Sequence, residues 1–197
     1  FTTDQIVTST GAKQSLANLA LSLLNNGDEV LLPCPYWVSY SEIIKLAEGV
    51  PVEIPSTIDS NFKITPQQLE ESITEKTKMI LLNSPNNPTG AVFTPDEISG
   101  IVKIAEEYDL WIVSDEIYAR LNWTDYPHVS PATCPGGKER TLIVNGWSKS
   151  WAMTGMRLGF LTGPENAMKA AIKSQANSAS HVPTFMMEAA KIALSCD

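Results

Sequence analysis

Short runs of uninterrupted apolar residues alternate with helical repeats along the whole chain. The apolar runs predict strands over 5–7, 29–32, 50–54, 78–83, 110–114, 141–145 and 157–162. The intervening stretches predict helices over 12–26, 36–47, 66–73, 95–108, 164–176 and 184–194. Strands that are apolar throughout, rather than at every second residue, must be covered on both faces. Strands separated by helices have the crossovers that parallel pairing requires. The pattern therefore specifies an α/β fold with a mostly parallel sheet. The stretch 124–137, rich in Pro and Gly, reads as one surface loop. There is no internal repeat, low-complexity tract or linker.

Composition narrows the functions such a fold can serve. With 43% hydrophobic residues the chain is too apolar for disorder. No run approaches the roughly 18 consecutive apolar residues that a membrane-spanning helix needs. A net charge of −8 argues against a nucleic-acid binder, which needs a basic face. Cys34, Cys134 and Cys196 are odd in number and far apart, with no CxxC pair. They fit neither a zinc site nor a secreted disulfide framework, and reduced thiols in the cytoplasm are expected. The chain starts at Phe1 rather than Met, as a processed chain or a piece of a longer one would.

Open α/β sheets bind ligands beyond the carboxyl ends of their strands, so the residues following each strand carry the functional reading. After the first strand, Thr8-Ser9-Thr10-Gly11-Ala12-Lys13 leads into a helix. Free backbone N–H groups there suit an anion, although Ser9 or Thr10 could simply cap the helix. Asn83 to Gly90 is a Pro-braced polar loop that can point amides inward; a plain turn is the alternative. Asp115 ends the run LWIVSD, where burial would desolvate an unpaired acid; a helix cap is the alternative. Lys149 lies among Trp147, Trp151 and Met153 in sequence. An amine desolvated by such neighbours becomes a nucleophile, unless it snorkels to water. Arg157 opens the last apolar run, where an inward guanidinium calls for an anionic partner. An anion nest, an amide loop, an acid, an amine and an arginine on one sheet edge are what a pyridoxal phosphate site requires.

These segments carry a family resemblance. TSTGAKQSL (8–16), PYWVSY (35–40), NSPNNPTG (83–90), VSDEIY (113–118) and NGWSKSWAMTGMRLGF (145–160) occur in the order found in fold-type I aminotransferases of class I/II. The chain most resembles the aspartate and prephenate aminotransferase branch. The resemblance implies a three-layer α/β/α sandwich with about seven strands and pyridoxal 5'-phosphate as cofactor. It implies that Lys149 bonds covalently to the cofactor as its Schiff-base lysine and shuttles a proton. Asp115 would pair with the pyridine nitrogen, and Tyr118 and Asn87 with the phenolic oxygen. Trp37 would stack on the ring, and Trp37 and Asn87 would also approach the substrate carboxylate. Gly11, Ala12 and Lys13 would surround the phosphate, mainly through backbone N–H groups, and Arg157 would complete that site. An amino acid, with aspartate first, and a 2-oxo acid such as 2-oxoglutarate would be the substrates. Prephenate, aromatic amino acids and alanine stay open. So do elimination or ring-closure chemistry and a non-catalytic sensor role. A homodimer is expected, with no nucleic-acid partner and no metal.

The sequence also departs from the family pattern. Gly146 stands where some relatives carry a phosphate-contacting serine, and Ser148 is a candidate substitute. Met156 replaces a common Trp or Phe. The family's amino-terminal arm and carboxy-terminal small domain, with its substrate-binding arginine, have no counterpart in residues 1–197. The chain is therefore expected to be the large cofactor-binding domain alone.

Overall fold

A computed structural model of the chain describes residues 1–196. Seven strands form one sheet: β1 (Ile6–Thr10), β2 (Glu29–Pro33), β3 (Val50–Ile54), β4 (Thr77–Asn83), β5 (Trp111–Asp115), β6 (Thr141–Gly146) and β7 (Leu158–Thr162). Their spatial order is β1-β7-β6-β5-β4-β2-β3. All pairings are parallel except those of β7, which runs against both β1 and β6. The expected α/β architecture is what the chain adopts, with one strand reversed.

The helices are α1 (Ala12–Leu23), α2 (Ser39–Leu46), α3 (Pro66–Glu71), α4 (Pro95–Glu107), α5 (Glu165–Ser178) and α6 (Thr184–Leu194). Two of them begin on reciprocal caps. Thr94 accepts from the Glu97 N–H at 3.2 Å while the Glu97 carboxylate accepts from the Thr94 N–H at 2.7 Å, with Pro95 opening the helix. Thr65 and Gln68 repeat the arrangement ahead of α3.

Both faces of the central strands are covered, as continuous apolar runs require. From β4, Met79 and Leu81 pack with Leu16 and Leu19 of α1, Ile44 of α2 and Met168 of α5. Ile80 and Leu82 point the other way, against Leu69 of α3 and Ile98, Ile101 and Val102 of α4. Each fully buried Leu or Ile contributes about 1.5–3 kcal/mol of transfer free energy. A third cluster joins Trp147, Leu158 and Val182 to Ala190 of α6.

Several predicted boundaries shift. The first strand runs on through Thr10, so Thr8-Ser9-Thr10 belongs to the sheet, paired with Phe160, Gly159 and Leu158. Helix 12–26 stops at Leu23, and helix 36–47 starts only at Ser39, beyond the prolines. Asp115 is the last residue of β5 and is followed by turns, which removes the helix-cap alternative. The loop 124–137 contains one short 3-10 turn, Pro131–Thr133.

Candidate active site

The carboxyl ends of β1, β2, β4, β5 and β6 lie on one edge of the sheet, and the reversal of β7 brings its start to that same edge. Register fixes the neighbours: Thr10 pairs with Leu158, Gly146 with Gly159, and Asn83 with Asp115. A cavity of about 320 Å³ opens there, within the range of a small-molecule site. Ala12, Lys13, Trp37, Asn87, Asp115 and Tyr118 line it, together with Ser148, Lys149, Thr154 and Arg157. Tyr40 and Ile117 complete the wall. Nearly every residue singled out from sequence thus reaches one chamber. Gly11 reaches it indirectly, through its contact with Arg157.

The acidic wall is built from β5 and α2. Asp115 is 3% exposed. Its Oδ2 accepts from the Tyr40 hydroxyl at 2.7 Å, and its Oδ1 accepts from the Ile117 N–H at 3.2 Å. Burial pushes the Asp115 carboxyl up to about 6; the Tyr40 and Ile117 donors pull against that rise, and the Glu116 charge adds to it. Asn83 Nδ2 donates to the Asp115 carbonyl at 3.0 Å, and Asn83 Oδ1 accepts from the Asn87 N–H at 2.7 Å. One buried amide therefore locks the β5 end to the loop that carries Asn87.

The cationic wall is built from the starts of α1 and β7 and the turn after β6. Gly11 has φ +80°, and a Cβ there would collide with the Arg157 guanidinium. The guanidinium and the amino end of α1 therefore converge, each favouring an anion. Arg157 itself has φ +52°, and its Nη1 donates to the Thr154 carbonyl at 2.9 Å. Among the described residues no carboxylate pairs with Arg157, Lys149 or Lys13. Gly159 lets the Gly11–Ala12 backbone pack where a side chain would stand. Ser9, 1% exposed, braces the turn by donating to the Gly11 carbonyl at 3.0 Å and meeting Ser15 Oγ at 2.7 Å.

One expectation is corrected. Lys149 is exposed at the cavity, not desolvated by its sequence neighbours. Trp147, Trp151 and Met153 turn away into the cluster beneath α6. The Lys149 ammonium instead stands 5.8 Å from the Tyr118 ring centre. Lys13 also presents its side chain to the chamber, over the Trp37 ring at 4.7 Å, besides its backbone. Gly146 could not be a serine without moving the Leu158 carbonyl, which a Cβ would meet at 2.6 Å. Ser148 and Thr154 supply hydroxyls on that wall instead.

Sequence reasoning gave no role to Tyr40 or Thr154, and named Ser9 and Asn83 only as a possible cap and as the start of the amide loop. The Trp37–Tyr40 spacing of three places both on one side of a helical turn, a signal that was available.

Comparison with known proteins agrees with this geometry. The sequence profile of aminotransferase class I and II matches residues 1–197. The chain belongs to that family. It is 46% identical over 190 residues to an aspartate aminotransferase of Bacillus subtilis, covering 96% of this chain and 48% of the relative. It is 43% identical over 195 residues to a bifunctional aspartate aminotransferase and glutamate/aspartate-prephenate aminotransferase of Petunia hybrida, covering 98% of this chain and 41% of that one. An aspartate aminotransferase structure from Thermotoga maritima superposes with a TM-score of 0.96 at 38% identity, covering all of this chain and 52% of that one. The chain of the Thermus thermophilus aspartate aminotransferase with maleate gives a TM-score of 0.95 at 39% identity, covering 98% and 50%. The chain thus spans about half the length of the relatives it matches. No helix among the described residues is long and apolar enough to cross a membrane.

Proposed function

We propose that residues 1–197 are the large, cofactor-binding domain of a longer aminotransferase that uses pyridoxal 5'-phosphate. The observation that carries this reading is the single cavity shared by the Lys149 amine, the buried Asp115 carboxyl and the Arg157 guanidinium. The donor set fits the cofactor at each of its ends. Arg157 and the N–H groups at the start of α1 suit a phosphate, and among the described residues no carboxylate competes for Arg157. Trp37 offers a ring face, and Asp115 offers an anion able to hold a proton on a ring nitrogen. Tyr118 and Asn87 offer hydrogen bonds to a phenolic oxygen.

The bound cofactor supplies an electron sink for the substrate's α-carbon. The chain's own residues do the rest. The Lys149 amine would hold the cofactor, and it would carry a proton to and from the substrate's α-carbon. Its exposure leaves it free to swing between these tasks. Asp115 keeps the ring nitrogen protonated, which is what makes the sink effective.

Aspartate, with 2-oxoglutarate as acceptor, is the proposed substrate pair. The relatives' names favour it, as does the dicarboxylate maleate named with the Thermus structure. Lys13 adds a local reason: its ammonium over Trp37, with no carboxylate partner among the described residues, suits a second carboxylate. The Petunia relative favours prephenate as an alternative acceptor. The working protein is proposed to be a cytoplasmic homodimer.

Steady-state assay of the full-length protein with cofactor, aspartate and 2-oxoglutarate tests the reading. The expected products are oxaloacetate and glutamate in equal amounts. Release of a 2-oxo acid and free ammonia with no acceptor present would overturn transamination.

A further inference from the structure

Tyr40 occupies the second position of α2, three residues beyond Trp37. Its N–H donates to the Trp37 carbonyl at 2.9 Å, closing one turn between them. Its ring meets the Trp37 ring edge-on, with centroids 5.4 Å apart and planes at 89°. The side chain is 2% exposed and packs in the core beside Leu16, Ile44 and Val113. Its hydroxyl turns from that apolar shell to donate to Asp115 Oδ2 at 2.7 Å. A buried phenol needs some partner, and here the partner is the acid at the floor of the site. The Ile117 N–H meets the other carboxylate oxygen, so each oxygen has one donor and the carboxylate plane is fixed.

We propose that Tyr40 is a positioning residue that holds Asp115 ionised and oriented while setting the Trp37 ring opposite, so that acid and stacking face form one unit. The proposal deepens the cofactor reading above and rests on it. Its physical basis is that a hydrogen bond donated to a carboxylate stabilises the charged form that burial disfavours. Without that donor a desolvated acid takes up a proton near neutral pH and can no longer hold one on a ring nitrogen. Other charged or titratable groups face the same space. Tyr118 lies on the same segment, and Lys13, Lys149 and Arg157 stand on the opposite wall; Glu116, next along the chain, acts on Asp115 through its charge while its carboxylate meets the Ser114 hydroxyl and His128. None of these makes a hydrogen bond to the Asp115 carboxylate. A phenylalanine at 40 would keep the apolar packing and the Trp37 edge contact, so the hydroxyl alone is in question.

The test is a carboxyl 13C titration of the cofactor-free protein labelled at aspartate, with Asp115→Asn identifying the resonance. The expected result is that Tyr40→Phe raises the Asp115 midpoint by about one to two pH units, a ten- to hundredfold change in proton affinity. Replacing Tyr40 with 3-fluorotyrosine, a stronger donor of the same shape, lowers the midpoint and covers the case in which Tyr40→Phe fails to fold. A midpoint unchanged in both variants would overturn the proposal, because a residue that only fills space does not move it. Pyridoxal 5'-phosphate affinity at pH 7, measured in a Lys149→Ala background to leave binding non-covalent, separates this proposal from the reading beneath it. Affinity reduced about tenfold by Tyr40→Phe supports both. A shifted midpoint with unchanged affinity upholds the Tyr40–Asp115 coupling and overturns Asp115 as the group facing the cofactor ring.

Discussion

The two walls of the cavity are built on opposite principles. The acidic wall is finished before any ligand arrives. Asp115 is buried, and Tyr40, Ile117 and Asn83 hold its carboxylate and backbone. The cationic wall is open. Lys13, Lys149 and Arg157 are exposed, and none meets a carboxylate among the described residues. Arg157 even sits at φ +52°, a conformation a residue with a Cβ adopts at some cost. A buried acid needs its partners built in, because nothing else offsets its desolvation. Cations at a solvent-filled mouth stay hydrated, so they can wait for an anion to bring the last partner.

Substitutions on the two walls should therefore fail differently. The largest effect is on the cationic side: Lys149→Ala abolishes the aldimine absorption of the cofactor-loaded protein. Absorption that persists and resists borohydride would refute the assignment. On the acidic side, Asp115→Ala is expected to lower turnover of the full-length enzyme about 10²–10³-fold while weakening cofactor binding far less. Equal collapse of both would make the acid a structural group.

The walls also differ in pH response. The Asp115 carboxyl sits at about 6 when folded, against 3.8 for the ordinary group. Between these values the folded chain binds more protons than the unfolded one, so stability falls as pH rises from about 4 to 6. The shift corresponds to about 3 kcal/mol as an upper bound. Denaturant titrations at pH 4.5 and 7 should show this decline, and Asp115→Asn should flatten it. An unchanged slope in the variant would mean another group titrates there. The smallest effect expected is from Arg157→Lys, which keeps the charge but loses the fork. Cofactor affinity should drop about tenfold, while affinity for pyridoxal lacking the phosphate stays the same.

The acidic wall was the less legible of the two in sequence. Asp115 could be picked out because it ends an apolar run, but its partner Tyr40 lies 75 residues away on α2. Hydrophobic period carries no information on such a pairing. Arg157 was legible as an arginine opening a strand. That it faces the cavity depends on β7 running against its neighbours, which follows from the pairing and not from the strand's composition. Lys149 was found for a reason the fold does not support. Its aromatic neighbours in sequence turn to α6 and leave the amine at the cavity mouth. Both covered faces of β4 and β5 were readable, because the uninterrupted apolar runs 79–82 and 111–113 admit few other arrangements.

The central claim is that the Lys149 amine is the group that joins the cofactor. Borohydride reduction of the pyridoxal 5'-phosphate-loaded protein, followed by proteolysis and peptide mass mapping, tests it most directly. The account predicts one reduced adduct, on the peptide containing Ser148-Lys149-Ser150 and on Lys149 within it. An adduct on Lys13, or spread over surface lysines with Lys149 unmodified, would contradict it.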